Sequence, residues 1–181
     1  MGEETSHILS VLVENEAGVL SQVSRLFSRR GFNIESLAVG TTDDVNVSRM
    51  TIVVKGTDRM AEQISKQLGK LQPVISVIRL PREDAVSREL MLVKVEAQTS
   101  QKRDDIIRIV NVFRANVIDM ARNSMTIEVS ASSAKSEAML SLLKEHGIIE
   151  LVRTGVVAVE RGSSSIYDYR REREEFDLGK I

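Results

Sequence analysis

The chain has no cysteine and only two histidines, His7 and His146. The first absence removes disulfides, thiol nucleophiles and thiolate-bound zinc, and it suits a reducing, cytoplasmic compartment. The second leaves too few imidazoles for a histidine metal site. Both fit plain structural roles, His7 as a solvent-facing strand start and His146 as a favourable partner for a helix dipole beside Gly147. No apolar run approaches the roughly 18 residues of a membrane span. Charge of one sign is missing too: 25 Lys and Arg nearly cancel 26 Asp and Glu, so the electrostatic footprint of a nucleic-acid binder is absent. The start, MGEETSH, has no apolar core of a signal peptide and no arginines of a transit peptide. It matches a loose myristoylation pattern at Gly2 and Ser6, but Glu3 and Glu4 would repel an anionic membrane.

Catalytic signatures are equally scarce. There is no GxGxxG fingerprint, Walker P-loop or GxSxG elbow. Asp43, Asp44 and Asn46 lack the glycine and distal glutamate of a calcium loop, so they read as a solvated turn. No catalytic or metal-binding residue is expected.

What the 181 residues do contain, with 42% hydrophobic and 28% charged side chains, is a globular pattern that runs twice. HILSVLVE (7–14) reads as a central strand. A helix follows from about Ala17 to Arg30, with Val19, Leu20, Val23, Leu26 and Phe27 inward and Gly31 as its stop. FNIESLAVG (32–40) and NVSRMTIVVK (46–55) are strands around the turn TTDDV. A helix capped by Thr57 or Asp58 and the strand VISVIRL (74–80) complete a β-α-β-β-α-β unit. After Pro81 the order restarts with ELMLVKVEA (89–97), a helix capped by Thr99 or Ser100, two strands from NVIDMA and SMTIEVSA, and a helix burying Ala138, Met139, Leu142 and Leu143. The strand material IIELVRTGVVAVER ends it. The expectation is an α+β chain of two tandem ferredoxin-like βαββαβ modules: residues 1–80, a linker 81–88, residues 89–162, and a charged tail 163–181. Ile166, Tyr169 and Phe176 form only a weak stripe in that tail, which is expected to be solvated or docked on a partner.

The same order occurs in RNA-binding modules, but those stack bases on aromatic residues, and the strands HILSVLVE and NVSRMTIVVK have none. Attention falls instead on ENEAGVLSQVSRLFSRRGFNIESL (14–37). At the junction of strand and helix the first helical amides lack intrahelical partners and suit a carboxylate. Gly18 admits close approach to the backbone, and Asn15 and Asn33 each offer an amide that can donate to a carboxylate or accept from an ammonium. A free α-amino acid carries that pair of charges on one carbon. Spacing alone leaves a structural role open, with Asn15 as a helix cap, Gly18 as a relaxed turn and Asn33 serving the turn after Gly31.

ILSVLVENEAGVLSQVSRLFSRRGFNIESLAVGTTDD, SRMTI, RELMLVKV and RTGVVAVERG, in that order, closely resemble the regulatory small subunit of acetolactate (acetohydroxyacid) synthase over about residues 7–162. The resemblance implies that the first half is an ACT domain, which pairs side by side with a second copy and holds a branched-chain amino acid, typically valine, at the interface. It implies that Asn15 and the Ala17-Gly18-Val19 turn hold the effector's polar end, with Asn33 and Ile34 supplied by the facing chain. Gly40 stands where some members carry alanine, which leaves the pocket's size open. It further implies no cofactor in this chain. Thiamine diphosphate, a divalent metal such as magnesium and FAD belong to a large catalytic subunit, which the small subunit activates and makes sensitive to end-product inhibition. The turn TTDDVNVS is the expected contact with that subunit. Two other readings compete: a free-standing amino-acid sensor acting on a transporter or transcription factor, and an enzyme in its own right using helix-borne carboxylates.

Overall fold

The computed structural model describes residues 4–169, so the expectations placed on Gly2 and Phe176 lie outside the described residues. The described residues divide into two compact units, residues 4–87 with 156–169, and residues 88–155. In the first, β1 (Thr5–Glu14), α1 (Val19–Arg30), β2 (Ile34–Thr41), β3 (Val47–Gly56), α2 (Asp58–Leu68) and β4 (Val74–Leu80) follow one another, and the sheet order is β2-β3-β1-β4. All its pairs are antiparallel. Alternation along the strands sends Leu9, Val11, Val13, Met50, Ile52 and Val54 to one face, where they bury with Val19, Val23 and Phe27 of α1 and Ile64 and Leu68 of α2. Leu20, expected inward, is 44% exposed on α1. It adjoins Val19, and a turn of about 100° per residue carries it past the edge of the buried stripe.

Helix α1 stops where the glycine signal placed it. Gly31 adopts φ 68°, and its neighbour Phe32 donates to the Phe27 carbonyl at 3.1 Å. The two phenyl rings meet edge to face at 6.5 Å, which fixes the chain's exit into β2. Thr57 caps α2 by accepting from the Met60 amide.

The second unit takes β5 (Ala85–Glu96) from Arg88 onward. It continues through α3 (Ser100–Phe113), β6 (Asn116–Met120), β7 (Ser124–Ala131), α4 (Ser133–Leu143) and β8 (Ile148–Arg153), in the order β6-β7-β5-β8. The expected pair of ferredoxin-like modules is therefore present, with differences in boundaries and in one helix face. The stretch expected as a linker includes the first residues of β5, whose Ala85 is buried. Helix α4 is turned by about one residue from the expected face: it buries Ser136, Met139, Leu140 and Leu143, and leaves Ala138 and Leu142 exposed. Apolar residues surround this helix, so periodicity does not choose a face and packing does.

A further strand, β9 (Val157–Glu160), follows Gly155 and belongs to the first unit rather than closing the second. It pairs with β5, and the Arg161 amide donates to the Asp84 carbonyl at 2.7 Å. With a helical turn at residues 166–169 it covers the first sheet's other face, where Ala158 and Ile166 pack with Ile8, Leu12, Val53 and Ile78. Ile166 is 1% exposed, so the tail begins as a packed element and not as a solvated one.

In the second unit Glu89 is 4% exposed and receives two bonds from Arg153, Nη2 to Oε1 at 2.5 Å and Nε to Oε2 at 3.3 Å. The bond to Glu89 is the main reason the Arg153 guanidinium is held above its ordinary pKa. Glu137, 55% exposed, pairs with the same guanidinium from α4. Removing one partner strands a buried charge, whereas removing an exposed one does little. Arg153→Met is expected to lower unfolding free energy by about 3–5 kcal/mol in urea titrations, and Glu137→Ala by at most about 1 kcal/mol.

Candidate functional site

The junction of β1 and α1 is organised by Asn15. Its Nδ2 donates to the Val45 carbonyl at 2.8 Å, its Oδ1 accepts from Ser48 Oγ at 3.0 Å, and its backbone amide donates to the Asn46 carbonyl at 2.7 Å. Asn15 is thus not the helix cap that a structural reading allowed. It is a tie between the end of β1 and the β2–β3 turn. A carboxamide has two N–H donors and two acceptor lone pairs on its oxygen, and these side-chain bonds use one of each. One donor and one acceptor remain on an exposed side chain.

Gly18 stands at the N-cap of α1 with φ 89° and ψ −9°, and no side chain caps the helix. The first turn carries no acidic residue and the last carries Arg29 and Arg30, so the helix dipole is offset by its own side chains only at its C-terminal end. The Val19 amide makes a long 3.4 Å bond to the Glu16 carbonyl. Ala17 and Gly18 are exposed, while the Val19 side chain is buried in the core, leaving only its backbone to face a ligand. Open amides beside a free carboxamide donor and acceptor suit a small zwitterion.

Asn33 is exposed just before β2 and Ile34 begins that strand. The structure does not bring these two to Asn15. Ile34 pairs with Val54 at one end of β3, whereas the turn tied to Asn15 lies at the other, where Thr41 pairs with Ser48. The six residue steps from Ser48 to Val54 correspond to about 20 Å of strand. Strand β2 is at the sheet edge, pairs only with β3 among the described strands, and exposes Val39.

Ser48 escaped the sequence analysis. Its signal was a hydroxyl in the same inward register as Met50, Ile52 and Val54, where a buried polar group needs a partner. Arg49, one residue on, reaches the opposite face of the sheet. Its Nε donates to Ser10 Oγ at 2.9 Å and its Nη2 to the Ala158 carbonyl at 3.0 Å, and burial pushes its pKa down.

A cleft of about 640 Å³ lies at the other end of β1, lined by Thr5, Ser6, His7, Asp58, Arg79 and Arg82 among others. His7 is not simply solvent-facing there: its side chain is 11% exposed, with Nε2 2.9 Å from the Gly56 carbonyl. Arg79 and Asp58 pair at 2.5 Å, so much of the cleft's charge is internally matched. Among the described residues no group of three or more His, Asp or Glu is placed to hold a metal, and no helix is long and apolar enough to cross a membrane.

Family models match both halves of the chain. Residues 9–76 match the acetohydroxyacid synthase small-subunit-like ACT domain, and residues 88–162 match the small subunit of acetolactate synthase. The acetolactate synthase small subunit of Mycolicibacterium smegmatis is 52% identical over 89% of this chain and 94% of its own. The probable acetolactate synthase small subunit of Methanothermobacter thermautotrophicus is 46% identical over 91% and 98%. Among solved structures, the acetolactate synthase small subunit from Thermotoga maritima superposes with a TM-score of 0.82 at 39% identity, covering 88% of this chain and 99% of that one.

The two glycines of this region separate by backbone geometry. No atom lies within 4 Å of a Cβ placed on either Gly18 or Gly40, but only Gly18 has a left-handed φ, of 89°. Gly18→Ala is expected to cost about 1–2 kcal/mol in thermal or urea unfolding, through backbone strain alone. Gly40→Ala is expected to stay within about 0.5 kcal/mol of the parent.

Proposed function

The chain belongs to the acetolactate synthase small-subunit family, and on that footing we propose that it is the regulatory, non-catalytic partner of the large subunit. It activates that subunit in the cytoplasm and confers feedback inhibition by a branched-chain amino acid, with valine as the first candidate. The chemistry of joining 2-oxo acids, with thiamine diphosphate, magnesium and FAD, resides on the large subunit. This chain contributes no cofactor.

The observation that carries the effector reading is the split between its two halves. Asn15 and the Gly18 turn lie near one end of β2, and Asn33 and Ile34 near the other, about 20 Å apart by strand length. An antiparallel pairing of β2 with β2 of a second copy places each chain's Asn33 and Ile34 at the other chain's Asn15. One two-fold axis thus completes two sites and covers the unpaired edge. The effector's carboxylate meets the first amides of α1, its ammonium meets the free lone pair of Asn15, and its aliphatic side chain faces Ile34 of the second copy.

Inhibition requires the effector to bind one state of the assembled enzyme more tightly than another. A coupling of about 1–3 kcal/mol corresponds to a 5- to 150-fold change in affinity. The β2–β3 turn, TTDDVNVS, is the proposed contact with the large subunit. Its Val45 is 74% exposed, an apolar tip, whereas the stretch's other valine, Val47, is buried.

The test is a pyruvate-consumption assay with the cognate large subunit. The chain alone is expected to be inactive, its addition to raise the large subunit's rate, and valine to lower that rate. Gly18→Asp, which puts a carboxylate against that of the effector and leaves the Asn15 tie in place, should preserve activation while removing valine inhibition. Loss of both together would identify the β1–α1 turn as structural and overturn the effector assignment.

A further inference from the structure

The turn gripped by Asn15 is also held from the other side. Tyr167 donates its hydroxyl to Asp43 Oδ1 at 3.2 Å, the Val156 amide donates to Ser36 Oγ at 2.9 Å, and the Ala158 carbonyl accepts from Arg49. One segment, 156–169, therefore touches β2, β3 and the turn between them. Ile166 and Ala158 anchor it in the core beneath.

We propose that this segment sets the readiness of the effector site: Tyr167 and Ser48 are positioning residues that act through the β2–β3 turn to hold the Asn15 amide in its ligand-binding orientation. The inference rests on the effector reading above and adds the route by which that site is tuned.

A free asparagine side chain on a loop rotates, and its donor and acceptor face a ligand only part of the time. Here Ser48 Oγ and the Val45 carbonyl fix the rotation and leave the outer N–H and the outer lone pair presented. That arrangement is only as rigid as the turn. Within the turn, Thr42 Oγ1 donates toward the Asp44 and Val47 carbonyls at 3.1 Å, and Asp44 Oδ1 accepts from the Asn46 amide at 2.9 Å. These bonds keep the turn's shape, the Asn15 amide ties it to β1 at the Asn46 carbonyl, and Tyr167 adds a hold on Asp43 from the segment 156–169.

Coupling between sites is reciprocal, so an effector at Asn15 must also tighten the segment 156–169. A residue with a merely structural role would change stability without this two-way effect.

The experiment titrates L-valine into the full chain by calorimetry and follows amide hydrogen exchange with and without valine. Tyr167→Phe keeps the ring and removes the hydroxyl, and is expected to weaken valine binding about 2- to 10-fold, the range for one net hydrogen bond. It should also speed exchange at Val45, Asn46 and Val47 and reduce the protection that valine gives to Val156. Ser48→Ala is expected to weaken binding over the same range. Ser48→Thr and Asp43→Asn, which retain a hydroxyl and an acceptor, should bind within about twofold of the parent. Asn15→Ala serves as the reference. If it binds valine as the parent does, the effector reading fails and this inference fails with it. If Asn15→Ala loses binding while Tyr167→Phe changes neither affinity nor exchange at the turn, the effector reading stands and the positioning role is overturned.

Discussion

The carboxamide of Asn15 is the point on which the geometry of the β1–α1 junction depends. It joins the end of β1 to a turn 30 residues later, and it does so with only half of its hydrogen-bonding capacity. A serine at position 48 turns what would be a flexible polar side chain into a fixed one. The open amides of α1 and the left-handed Gly18 then complete a polar, backbone-lined surface. Such a surface offers donors and acceptors suited to the small zwitterion proposed as its ligand.

A second constraint follows from sheet topology. The order β2-β3-β1-β4 leaves β2 with one row of backbone groups unpaired within the described chain. An exposed apolar edge invites association, and isologous pairing is the simplest way to satisfy it. Because the two halves of the candidate site lie at opposite ends of that edge, the proposed pairing of β2 with a second copy would complete the site. An effector that bridges two copies reports on their arrangement, which is the kind of coordinate a regulatory subunit needs.

The element order was legible because both modules use strong periodic signals. Gly31 stops α1, Thr57 and Thr99 cap their helices, and the inner strands alternate or run apolar as buried strands do. What escaped was decided by tertiary contacts. Helix α4 is apolar on several faces, so its inward choice of Ser136 over Leu142 was not recoverable from spacing. The run GVVAVER reads as the last strand of the second module, yet Gly155, at φ 82°, precedes a strand that returns to the first unit. Of the site, the residue types at Asn15 and Gly18 were readable. The partners of Asn15 were not, because Val45 contributes a backbone carbonyl and Ser48 is one hydroxyl among many. The burial of the Val19 side chain likewise restricts it to a backbone role that the motif alone does not specify.

The most direct test is to follow backbone and asparagine side-chain resonances of the isotopically labelled chain as L-valine is added. The account predicts that the largest changes fall on the Asn15 carboxamide, the amides of Gly18, Val19 and Leu20, and those of Asn33 and Ile34, all saturating together. Changes confined to the cleft around His7 and Arg79, or no change for valine, leucine or isoleucine, would contradict it.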